Sequence, residues 1–178
     1  MGYPATVTLG NLTETHSTAQ HPLGAVGVFT QAGGQVLARY MQNAYTAGGG
    51  AFPGGLVVNY AHHQGNFDSQ QLADTRSLKD FMAGIVPVER TSGDFGWVVF
   101  RGPLTAGQFQ LAAGITASSS LARLARPDFQ ARLITQTHLY SQSDGGAGGG
   151  KVIGMLRSTG TTLGTGTSST GIFDVLWR

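Results

Sequence analysis

The sequence predicts a mainly β protein: a compact sandwich- or barrel-like domain with an extended N-terminal arm and long glycine-rich loops. Three observations carry this. In Phe95-Gly-Trp-Val-Val-Phe-Arg-Gly-Pro103, the residues Phe95, Trp97 and Val99 share one side of a strand while Val98 and Phe100 share the other. A strand apolar on both sides needs cover on both, which places it in the middle of a β core. Similar short runs recur along the chain between the turn clusters Ala32-Gly-Gly34, Gly48-Gly-Gly50, Pro53-Gly-Gly55 and Ser92-Gly-Asp94. Glycine, at 28 of 178 residues, is about twice as frequent as in an average chain, which suits many short strands joined by tight turns.

Taken in order, residues 1–22 read as the arm. Residues 5–9 form a short strand candidate, and residues 11–21 are polar without periodicity. Such a segment cannot bury enough apolar area to fold alone, so it is expected to be disordered, to add to a partner sheet, or to pack back on a strand edge of its own domain. Residues 23–178 read as a single β-rich domain. Strands are expected at 25–30, 35–42, 56–60, 85–90, 95–101, 132–140, 151–156 and 172–177. Gly102-Pro103 is expected to stop its strand, because proline cannot donate to a ladder. A helix is expected between 68 and 82, with Ser69 as cap and Leu72, Leu78 and Phe81 on its stripe. A further helical turn is expected within 121–129, before Pro127. The low-complexity stretches 141–150 and 159–171 read as long hairpin loops.

Charged residues make up 11% of the chain, against about 25% in an average soluble domain. A surface so poor in charge suits coverage by other subunits. The net charge is +2 and the arginines are scattered, so no basic run exists to neutralise phosphates and no nucleic-acid partner is expected. The chain contains no cysteine, which excludes disulfides, thiolate metal sites and cysteine nucleophiles. No charged leader precedes an apolar run, and nowhere are there about 18 consecutive apolar residues, so neither secretion by that route nor a membrane span is expected.

Motifs for chemistry fail on inspection. Gly145-x4-Gly150-Lys151 resembles a phosphate loop, but Val152 stands where Ser or Thr would hold magnesium, and the following residues read as strand. The histidines His16, His21, His62, His63 and His138 lack the spacing of a metal site and read as polar loop and surface residues. No Gly-x-Ser-x-Gly elbow is present. Asn11-Leu-Thr13 matches a glycosylation acceptor without a secretory leader, a chance match. The expectation is a non-enzymatic protein with no catalytic residues, cofactor or metal.

Several runs together resemble the head-decoration, or cement, proteins of tailed bacteriophages. They are Arg39-Tyr-Met-Gln-Asn-Ala44, Gly54-Gly-Leu-Val-Val58, Met82-Ala-Gly-Ile-Val86, Asp94-Phe-Gly-Trp-Val-Val-Phe-Arg-Gly-Pro103 and Ile153-Gly-Met-Leu156. The similarity spans residues 35–177 and departs from the family pattern at 62–78 and 159–171. It implies a β module bound to the outer surface of an assembled capsid, cementing neighbouring major capsid proteins, often as a homotrimer. Such a protein is made in the host cytoplasm and ends in the virion. The family's N-terminal arm touches the capsid protein, and on that basis Tyr3, Val7, Leu9 and Leu12 are the expected capsid-binding anchors. Phe95, Trp97, Val99 and Phe100 are the expected core strand. The alternative is a tail or fibre component or a carbohydrate-binding β module, for which Tyr40, Tyr45, Tyr60 and Trp177 are candidate platform aromatics. A hydrolase would need His63 or His138 bonded to a buried carboxylate.

Overall fold

Alternating apolar residues and glycine punctuation produce twelve strands and no helix among the described residues of the computed structural model. Those residues are 7–8, 10–44, 51–60, 66–68, 82–110, 123–127, 133–135, 154–157 and 172–176. The strands are β1 (Val7–Thr8), β2 (Thr15–His16), β3 (Val26–Gln31), β4 (Gly34–Asn43), β5 (Val57–Tyr60) and β6 (Asn66–Asp68). They continue with β7 (Met82–Ile85), β8 (Phe95–Leu104), β9 (Arg123–Pro127), β10 (Leu133–Thr135), β11 (Gly154–Arg157) and β12 (Ile172–Leu176). The protein is mainly β, as the sequence predicts.

β3 and β4 form a hairpin whose ladder runs from Val26↔Arg39 to Gln31↔Gly34, so Ala32 and Gly33 alone make the turn. β4 then lies along one edge of β8, from Leu37↔Arg101 to Gln42↔Phe95, with an irregularity between Leu37 and Ala38. The other edge of β8 is divided among three short strands. β2 pairs at Phe95 and Gly96, β7 at Val99, and β12 from Arg101 to Leu104. The pairings β4–β6, β6–β5, β5–β7 and β7–β8 return to β4 and trace a circuit of five strands. This circuit is barrel-like but not a continuous ladder, since β7 meets β8 at the single pair Ile85↔Val99. Beyond β12 the sheet extends through β11 and β9 to β10.

Side-chain alternation sorts the core into two layers around β8. Inside the circuit, Val98 packs with Met41, Phe52, Val58, Ala83 and Val86. Each is almost wholly withdrawn from solvent, and burying a side chain of the larger kind contributes about 1.5–3 kcal/mol. On the opposite side Trp97 meets Phe29 and Tyr40 edge-on, both with ring centroids 5.0 Å away. Val99 is buried too. Phe95 is half-buried and stacks on Tyr40 at 6.3 Å, while half-buried Phe100 lies 5.4 Å below the guanidinium of Arg39. The alternation predicted for these residues holds.

Other expectations need correction. Gly102-Pro103 does not stop the strand, because β8 runs on to Leu104. Its ladder to β4 has ended at Arg101, so a missing proline N–H costs little on that edge, while β12 pairs along the opposite edge from Arg101 to Leu104. The Pro103 carbonyl accepts from the Gln31 side-chain amide. The strand expected at 85–90 lies earlier, as β7, since Pro87 interrupts the run and Arg90 makes only an isolated bridge to Phe52. Where a helical turn was expected near 121–129, β9 pairs with β10 and β11 instead. Tertiary pairing overrides a weak local helical preference. The ends of the helix expected over 68–82 are strand residues, Asp68 in β6 and Met82 in β7, and its interior lies outside the described residues.

Candidate functional site

Of the alternatives open for the arm, residues 10–22 take the one of packing back on their own domain, as a clasp over Trp97. A sharp turn starts it: the Glu14 N–H donates to the Asn11 carbonyl at 3.1 Å, and the Thr13 N–H to Asn11 Oδ1 at 3.1 Å. This is the local bonding that suits asparagine to turns, and it puts the Asn11-Leu-Thr13 motif to structural use. β2 then pairs antiparallel with β8, Thr15 opposite Gly96 and His16 opposite Phe95. β1 pairs in parallel with β3, Val7 opposite Gly27 and Thr8 opposite Val28. Leu12 is 5% exposed within its own domain.

Polar groups of the clasp meet the polar atoms of buried aromatics. The Trp97 indole N–H donates to Glu14 Oε1 at 3.0 Å. The Tyr40 hydroxyl accepts from the Gln20 N–H at 3.1 Å and lies 3.0 Å from His16 Nδ1. His21 leans on the same rings, 4.9 Å from Tyr40 and 5.3 Å from Trp97, with its Nε2 3.9 Å from Glu14 Oε1. A buried Trp or Tyr requires a partner for its polar end, and the polar stretch supplies both.

Replacing Tyr40 by Phe keeps the ring contacts but removes the acceptor for Gln20 and the partner of His16. The expected cost is about 0.5–1.5 kcal/mol, read from urea unfolding, the net worth of a hydrogen bond whose donor regains water. A cost indistinguishable from zero would show that water takes over these bonds.

Behind this layer, Arg90 is 1% exposed, with Nη2 3.3 Å from the Trp97 carbonyl. Burial lowers its pKa below the ordinary arginine value to about 10, opposed by the nearby Tyr40 and Asp94. It therefore stays cationic near neutrality. Since the unfolded chain holds that proton more tightly, the folding penalty is complete below about pH 10 and is relieved as pH rises above it.

Of the expected capsid anchors, Leu12 is buried within its own domain. Val7 lies on β1, paired in cis through its backbone. Tyr3 and Leu9 lie outside the described residues. Residues 10–21 cannot be removed as an arm without uncovering Trp97. Tyr40 is wholly buried and cannot serve on an exposed sugar platform. Tyr45, Trp177, His62, His63 and His138 lie outside the described residues, as does the side chain of Tyr60. Among the described residues no three His, Asp or Glu side chains are grouped to hold a metal ion. The roles of Glu14, His16, Gln20 and His21 escaped the sequence reading because single hydrogen bonds and ring contacts place them, and such contacts leave no periodic trace. No family model, curated protein or solved structure matches this chain.

Proposed function

We propose that this chain is a non-enzymatic head-decoration protein of a tailed bacteriophage, binding the outer capsid surface and cementing neighbouring capsid subunits, most simply as a homotrimer. The observation that carries this reading is where the family-like runs lie. They fall on β4, on the turn into β5, on β7, on β8 and on β11, so the resemblance is concentrated in core strands. The sparse surface charge supports it as well. With residues 10–22 held against their own domain, contact with the capsid protein falls to the residues before Gly10, including Tyr3 and Leu9.

A protein that binds only the expanded lattice shifts the equilibrium toward it, by about 2.7 kcal/mol per site when its free concentration is a hundred times Kd. Bridging several subunits multiplies the effect through avidity. Co-sedimentation with expanded and with precursor shells, alongside light scattering of the free protein, tests the reading. Retention on expanded shells alone is the expected result. A monomer that ignores every shell, or that binds both forms equally, overturns it, and a glycan array then tests the carbohydrate-binding alternative.

A further inference from the structure

The geometry points to a pH-operated latch in the clasp: residues 14–21 hold to β4 and β8 while His16 is neutral and release when it is protonated. The argument starts from the Tyr40 hydroxyl, which sits on a wholly buried residue and already accepts the Gln20 N–H. Its own hydrogen needs an acceptor, and among the described residues the atom within reach is His16 Nδ1, 3.0 Å away. Nδ1 accepts only when unprotonated, so the bonded state holds the imidazole neutral with its hydrogen on Nε2. Once Nδ1 gains a proton, two donors converge on the hydroxyl oxygen and the tyrosine hydrogen is stranded in the interior.

The surrounding charges add to this. His21 stands 6.4 Å from His16, centroid to centroid, so two cations there would repel one another. Glu14, from the turn before β2, lies 3.9 Å from His21 Nε2 and also accepts the Trp97 indole hydrogen, so its charge attends His21. β8 contributes Phe95 and Trp97 without charge. From behind, Arg90 remains cationic throughout this titration, with Asp94 acting on it. Release frees the segment that covers Trp97 and Tyr40. The latch stands independently of the capsid reading.

The test uses the full chain and amide hydrogen exchange between pH 8 and pH 5, corrected for intrinsic exchange rates. The reporters are the Gln20 N–H and the Thr15–Gly96 region. If opening takes up one proton, its equilibrium constant rises by up to about tenfold per pH unit below the titration of a free imidazole. Protection of Gln20 should therefore fall as the pH is lowered through the range, at a slope no steeper than this limit, while the interior of the β3–β4 ladder keeps its protection. His16→Asn places a non-titrating acceptor near the Nδ1 position and should abolish the pH dependence. Unchanged protection in the native chain, or equal loss in the variant, overturns the latch. If the variant fails to fold, the native chain decides alone. Nitrogen chemical shifts must then show His16 Nδ1 unprotonated at pH 8 and titrating together with the loss of Gln20 protection, and any other pattern overturns the proposal.

Discussion

Trp97→Ala should lower the unfolding free energy by about 4 kcal/mol, in the range of large aromatic truncations in well-packed cores. The indole is wholly buried between two layers, with Phe29, Tyr40 and His21 all within 5.3 Å of its centroid. Removing it opens a cavity and strips Glu14 of its indole donor. It also takes away the surface on which residues 14–21 rest. For a chain of this size the loss amounts to about 8–16 °C in Tm. Thermal and urea unfolding both read it, and a change below about 1 kcal/mol would contradict the placement of this strand at the centre.

Gly84→Ala should be comparably damaging for a different reason. Gly84 has φ +148°, and a Cβ built there would collide with the Val99 carbonyl. This is the position where β7 approaches β8, next to the one ladder pair that joins them, Ile85↔Val99. Strain of about 1–3 kcal/mol is expected from the backbone alone, and relieving the collision must push the two strands apart. Gly93→Ala is the control, since Gly93 also has positive φ but a Cβ there meets nothing within 4 Å. Urea titration should find Gly84→Ala the more destabilising by at least about 2 kcal/mol, the cost of disturbed packing added to strain. Equal losses in the two variants would mean that strand approach plays no part.

Trp97 and Gly84 also mark how much was legible in advance. The two-sided apolar pattern around Trp97 is local and strong, so the central strand and its facing could be read directly. The hairpin of β3 and β4 was legible for the same reason, from alternation on either side of a glycine turn. Gly84 carried no such signal, because the need for glycine arises from a carbonyl fifteen residues away in sequence. Pro103 misled because proline's effect depends on whether a neighbouring strand needs its N–H, which is a property of the sheet.

By itself the sequence determined the class of the fold, the strands with strong period-two alternation, and the demand that β8 be covered on both sides. Tertiary structure decided what supplies that cover. On the Val98 side it is the circuit of β4, β6, β5 and β7, and on the Trp97 side it is the clasp of residues 10–22. The physical reason lies in the kind of interaction. Apolar burial imprints a period on the chain, whereas Glu14, His16 and Gln20 are held by single hydrogen bonds to aromatics distant in sequence. Such bonds are set by where the backbone arrives, and no local pattern announces them.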